Sequence, residues 1–111
     1  MAHYDHDGGQ PKFAAIDAAS SGDNTLVAAV PGKKIRVLSL WLVSAGTVTT
    51  RFESGAGGTA LSGQATLAVN NIYVLPYNPG GWFETAVGSL LNLELSGAVS
   101  VDGSLSYVLV D

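Results

Sequence analysis

One segment limits what this chain can fold into. Lys34–Ala45 reads Lys-Ile-Arg-Val-Leu-Ser-Leu-Trp-Leu-Val-Ser-Ala, a β-strand composition in which both alternating faces are apolar. Strict alternation puts Ile35, Val37, Trp41 and Val43 on one face and Leu38, Leu40 and Leu42 on the other. A strand in a small antiparallel domain meets a core on one side and water on the other, so it should alternate apolar with polar. A chain of 111 residues has little protein left to cover a second face. The expected cover is another copy of the same chain. Ile35, Val37, Leu38, Leu40, Trp41, Leu42 and Val43 are therefore the candidate oligomer contact.

Composition narrows the function classes. Charged residues are 13% of the chain and hydrophobic residues 47%, a charge share about half that of ordinary soluble domains, which points to surface hidden in an interface. There is no cysteine, which excludes disulfides, thiolate catalysis and Cys-based metal sites and agrees with synthesis in a reducing cytoplasm. The net charge is −4, with five Lys and Arg in all. Lys33, Lys34 and Arg36 are too thin a group to hold a phosphate backbone, so nucleic acid is not an expected partner. No apolar run is long enough for a transmembrane helix, and the polar beginning Met-Ala-His-Tyr-Asp-His-Asp-Gly-Gly-Gln-Pro lacks the pattern of a secretory signal. No membrane association is expected.

Residues 1–12 read as a flexible N-terminal arm and 13–111 as one β-sandwich domain. Short β-type runs follow one another between turn clusters. Expected strands cover Phe13–Ala19, Asn24–Val30, Lys33–Ala45, Thr47–Ser54, Ile72–Tyr77, Trp82–Thr85, Leu90–Leu95 and Leu105–Val110, with short pieces at 60–62 and 64–69. Turns are expected at Ser20–Asp23, Pro31-Gly32, Asn70-Asn71, Asn78-Pro79-Gly80-Gly81 and Ser96-Gly97, a hairpin turn or bulge at Asp102-Gly103, and a mobile loop at 55–59. In Thr47–Ser54, Val48 and Phe52 should face in, with Thr47, Thr49, Arg51 and Glu53 facing out. In Leu90–Leu95, Leu91, Leu93 and Leu95 share one face against Asn92 and Glu94. The pattern predicts an all-β, single-domain antiparallel β-sandwich of about eight strands, jelly-roll-like, with an immunoglobulin-like sandwich as the structural alternative.

Residues with chemical capacity are few. His3, Asp5, His6 and Asp7 are metal-ligand types in close spacing, but a terminal arm offers no surroundings to orient them, and Gly8 comes too early for a calcium loop. They read as a solvated arm unless several copies converge on a symmetry axis. No metal or cofactor is expected. The only histidines lie in this arm, so no serine has a base within a folded body. Gly55–Gly58 lacks the lysine of a phosphate loop. Glu53, Glu84, Glu94 and Asp102 could supply paired carboxylates, yet their spacing singles out no pair, and they read as exposed strand charges. The chain is not expected to be an enzyme. Tyr73, Tyr77 and Trp82 surround the Asn78–Gly81 turn and form an alternative glycan-stacking platform; core or interface packing is the commoner fate of such rings.

From about Gly22 to Val110 the chain resembles small phage virion proteins of jelly-roll or related β-sandwich type, some of them capsid decoration (cement) proteins. The resemblance is carried by Gly-Asp-Asn-Thr-Leu-Val-Ala-Ala-Val-Pro-Gly-Lys-Lys-Ile-Arg-Val at 22–37, Leu-Pro-Tyr-Asn-Pro-Gly-Gly-Trp-Phe-Glu-Thr at 75–85, Leu-Asn-Leu-Glu-Leu-Ser at 91–96 and Tyr-Val-Leu-Val at 107–110. It implies a structural protein made in the host cytoplasm that sits on the outer capsid surface, often as a homotrimer at three-fold positions. Such a protein clamps the major capsid protein against internal DNA pressure. His3, Tyr4, Asp5, His6 and Asp7 would then form a capsid-contacting arm. The alternative is a carbohydrate-binding or host-recognition domain of a tail fibre, or another head or tail structural protein.

Overall fold

The structure is a computed structural model that describes residues 9–111; the arm residues His3, Tyr4, Asp5, His6 and Asp7 lie outside the described residues. Ten strands follow in chain order: β1 (Lys12–Ala18), β2 (Gly22–Val27), β3 (Lys34–Ser44), β4 (Val48–Ser54), β5 (Thr59–Ala60), β6 (Ala65–Leu67), β7 (Ile72–Leu75), β8 (Phe83–Glu84), β9 (Leu91–Leu95) and β10 (Val101–Val110). They form two antiparallel sheets. The first has the order β1-β10-β3-β7, with β8 also on β3; the second has β2-β9-β4-β5, with β6 also on β4. Since β7 and β8 share one flank and β5 and β6 another, the ten strands fill eight sheet positions. The chain crosses between sheets at six of its nine connections, and this is the wrapping of a jelly roll.

Inward faces of both sheets make one core. The second sheet contributes Val48, Phe52, Leu91, Leu93 and Leu95, the first Ile16, Ile35, Val37, Leu40, Leu42, Val101 and Leu105, all buried. The Phe52 ring lies 5.0 Å from that of Phe83 and 6.4 Å from that of Tyr73. Each fully buried Leu, Ile or Phe side chain contributes roughly 1.5–3 kcal/mol of transfer free energy. The period-2 patterns of β4 and β9 account for these faces directly.

The face assignment for β3 does not survive intact. Ser39 pairs with Ser106, but the next pair along is Val37 with Tyr107, so Leu38 is an extra residue on β3. An extra residue reverses the alternation beyond it. Ile35 and Val37 therefore share the core face with Leu40 and Leu42, not with Trp41 and Val43. Leu38 joins Val108 and Val110 in a separate small cluster. Because Tyr107 and Leu109 pack against the main core, alternation sets Val108 and Val110 on the opposite face of the first sheet.

A second correction concerns Asp102-Gly103. Expected as a hairpin turn or bulge, it lies inside β10, which runs from Val101 to Val110 with its register shift at Ser106/Tyr107 and not here. Gly103 is opposite Ile16 on one side and Leu42 on the other. A β-carbon there would fall 1.9 Å from the Trp41 carbonyl oxygen and 2.7 Å from Leu42 Cα, so the glycine marks close backbone approach, not a reversal. The other turns form largely where expected. At Pro31-Gly32, Lys33 N–H donates to the Val30 carbonyl at 3.1 Å, and Gly32 has φ 76°, as the third position of a type II turn requires. The 55–59 segment is a bonded turn. Gly58 N–H donates to the Gly55 carbonyl, Gly57 N–H to Asp23 Oδ1 at 3.1 Å, and Thr59 begins β5.

Candidate functional site

The two outer faces of the sandwich have opposite chemistry. On the second sheet, Asp23 is opposite Glu94 and Thr25 opposite Asn92, while β4 sets Arg51 beside Glu94 and Glu53 beside Asn92. These outward side chains satisfy one another. Arg51 Nε donates to Glu53 Oε2 at 2.9 Å, and its Nη2 reaches Glu94 Oε1 at 3.1 Å. Asn92 Nδ2 donates to Glu53 Oε1 and to Asp23 Oδ1, both at 2.9 Å. Asn92 Oδ1 accepts from the Asn24 N–H at 2.8 Å. Glu53 was expected as an exposed strand charge; it is fully buried, as is Asn92. A buried carboxylate persists only when its oxygens are engaged, and here both are.

Burial pushes the Glu53 carboxyl up, but hydrogen bonds with Arg51, Glu94 and Asn92 outweigh it and hold the group below the ordinary glutamate range. Glu94 moves the other way, raised by its hydrogen bond with the Glu53 carboxyl and the charge beside it. Glu84, on the first sheet, is lowered chiefly by the hydrogen bond from Arg36 Nε at 2.8 Å, with Lys34 Nζ 3.5 Å away. A depressed carboxyl contributes stability that is present above its unfolded pKa and lost as pH falls through its lower folded value. Glu53 and Glu84 act in this sense. Glu94 opposes them in part, since its contribution is present below the unfolded value and lost as pH rises through the raised one. Thermal midpoints measured between about pH 6 and about pH 3 should therefore fall steeply on the acid side, and Glu84→Gln should flatten the fall. A midpoint independent of pH over that range would remove these pairs from the stability of the fold.

Away from the Arg36–Glu84 pair, the first sheet presents the reverse picture. Its outer face collects Phe13 from β1, Trp41 from β3, Ile72 and Val74 from β7, and Tyr77 just beyond, exposed by 80%, 49%, 67%, 58% and 58%. Trp41 is opposite Val74 on one side and Ser104 on the other, and Phe13 is opposite Ser106. Ser39 and Ser106 share a hydroxyl–hydroxyl hydrogen bond. Small serines between large rings leave a groove of about 570 Å³, with Phe13 at one wall, Trp41, Val74 and Tyr77 at the other, and Ser104 and Ser106 between them. At the 150–250 Å² that large side chains bury, these five side chains expose on the order of 600 Å². That is the upper end of what a monomeric protein leaves open.

Of the residues expected at an oligomer contact, the structure leaves only Trp41 exposed on this face, with Val43 partly buried beside it. Ile35, Val37, Leu40 and Leu42 are in the domain's own core, and Leu38 is buried in the small cluster. Phe13, Ile72 and Val74 were missed. The signal for β7 was present, since Ile72-Tyr73-Val74-Leu75 is as doubly apolar as β3. The glycan platform does not assemble as a unit. Tyr73 turns inward against the core, Trp82 donates its indole N–H to the Pro76 carbonyl at 2.8 Å, and Tyr77 lines the groove. Among the described residues, no group of three or more His, Asp or Glu side chains could hold a metal ion. No protein-family model matches the chain, and no curated protein matches it.

Proposed function

We propose that this chain is a structural virion protein: a capsid decoration, or cement, protein that forms a homotrimer on the outer face of a phage head and stabilises the shell. The observation that carries the reading is the apolar outer face of the first sheet on an otherwise complete sandwich. A domain whose core is already closed has no internal use for Phe13, Trp41, Ile72 and Val74 in water, so the face suits burial against other subunits. The second sheet, polar and internally satisfied, suits solvent. A net charge of −4 keeps such a protein away from packaged DNA. The resemblance of residues 22–110 to phage virion proteins and the jelly-roll strand order point the same way. The arm, through His3, Tyr4, Asp5, His6 and Asp7, reaches the major capsid protein, and repeated weak contacts around the oligomer combine by avidity.

Gold-labelled antibody against this protein, applied to intact virions of the phage that encodes it, tests the reading. Label distributed over the heads is the expected result. Label confined to tail fibres would transfer the protein to host recognition, and unlabelled particles would overturn a virion role altogether.

A further inference from the structure

We infer that the groove on the first sheet is filled by the edge of a second copy of this chain, with Phe13 of one copy seated against Trp41 and Val74 of the next; this rests on reading the chain as an assembly component. Phe13 is the most exposed large apolar side chain described, and it belongs to β1, the edge strand of its sheet. An edge strand carries unpaired backbone groups along one side and is blunted by charge or by cover. Here Lys12 and Asp17 stand at its two ends and a bare aromatic ring lies between them. The Ser104 and Ser106 hydroxyls of the receiving groove offer partners to those backbone groups. An interface needs about 800 Å² from each partner. The receiving face supplies over half of that from Trp41, Ile72, Val74 and Tyr77, and the docking edge supplies its side from Phe13 and the rest of β1.

Charge decides between ways of pairing two copies. Asp17 and Asp102 are directly opposite each other at one end of this face, both exposed, and among the described residues neither belongs to an ion pair. Like charges so placed repel. Stacking two faces about a two-fold axis along the strands would set both acidic ends on each other. An axis across the strands would lower Phe13 onto the partner's Asp17. An edge-to-face contact does neither. It leaves the aspartates at the margin in water and, being head-to-tail, generates a ring where its rotation closes.

The absence of cysteine makes this testable by designed cross-links. In the double variant Phe13→Cys/Val74→Cys the two thiols belong to β1 and β7, separated by β10 and β3. That is three strand spacings, roughly 14 Å, beyond the ~7 Å between Cα atoms that a disulfide tolerates, so a bond can form only between copies. Mild oxidation should yield a covalent ladder that ends in a closed ring, while Phe13→Cys alone yields no cross-link. Disulfide dimers from the single variant would establish face-to-face pairing and overturn the inference, as would a double variant that stays uncross-linked. Light scattering gives the second readout. The unmodified protein should have the mass of a cyclic oligomer, Phe13→Glu the mass of a monomer that still unfolds in one cooperative step at a lower, concentration-independent midpoint, and Val87→Glu, exposed but outside the groove, the mass of the unmodified protein. A monomeric unmodified protein would overturn the inference together with the homotrimer, while attachment to heads is decided separately by the labelling of virions.

Discussion

Gly103→Ala should cost roughly 3–5 kcal/mol, among the largest effects of any single substitution and a large share of the 5–15 kcal/mol that holds a domain folded. The added β-carbon would lie 1.9 Å from the Trp41 carbonyl oxygen, 2.8 Å from the Trp41 carbonyl carbon and 2.7 Å from Leu42 Cα. All three are backbone atoms, so no side-chain rotation relieves the overlap. Relief requires β10 to move away from β3, and that pairing runs from Val101–Ser44 to Val110–Lys34, the longest ladder in the molecule. Its loss exposes Leu105 and Leu42 and displaces Trp41 from the apolar face. Gly97→Ala is the control: nothing lies within 4 Å of the added atom, and a change within about 0.5 kcal/mol is expected. Urea unfolding of the two variants gives the comparison. A Gly103→Ala midpoint equal to the unmodified one would mean that the two strands do not approach as described.

Glu53→Ala is the second large effect, with a loss of about 2–4 kcal/mol. Breaking a buried ion pair by removing one partner typically costs 3–5 kcal/mol, because the other partner is left behind. The expected value is lower here because Arg51 is one-third exposed and keeps Glu94 at 3.1 Å. Asn92 has no such outlet to water. It is fully buried and would retain only Asp23 as acceptor for its amide. Glu53→Gln separates the charge from the shape. It keeps an acceptor for one neighbour but turns a second donor toward the other, so its midpoint should fall between those of the unmodified protein and the alanine variant. Equal stability of all three proteins in urea would show that the network is solvated and contributes nothing. Acid sensitivity follows from the same residues, since protonating Glu53 removes the charge that Arg51 and Asn92 hold.

The two predictions concern opposite faces of one sandwich, and the division has a functional consequence. The second sheet spends its charged residues on one another, so its outer surface is closed to partners of either sign except at its margins. The first sheet has serines where charges would be expected between its rings, and its nearest acids, Asp17 and Asp102, stand at one end. The proposed assembly uses this asymmetry, with the apolar face committed to other subunits and the polar face to water.

Much of this was legible in the residues. The alternation in Leu91–Leu95 assigns three leucines to the core and Asn92 and Glu94 to the opposite face, as found. Pro31-Gly32 and Asn78–Gly81 mark turns that form, because both carry residues suited to the dihedrals or local hydrogen bonds those turns need. The absence of charge from β7 and from β3 beyond Arg36 signals surface that water does not cover well. These features depend on a few neighbouring residues, and local sterics and polarity decide them.

Other features depend on pairings between distant residues, and periodicity carries no record of those. Leu38 reads as one more apolar position until Ser39 is matched to Ser106 and Val37 to Tyr107; the bulge then exchanges the faces of everything beyond it. Gly103 resembles a turn residue until β3 comes alongside. Glu53 is an ordinary outward charge on β4 by alternation, and its burial comes from Asn92, 39 positions away, and from Arg51 beside it. The sequence by itself determined an acidic, cysteine-free, all-β chain with its turns and with too much apolar strand for one core. Only the tertiary structure decided which residues form the surplus, because a residue's face is set by the register of the whole ladder and not by its own neighbours.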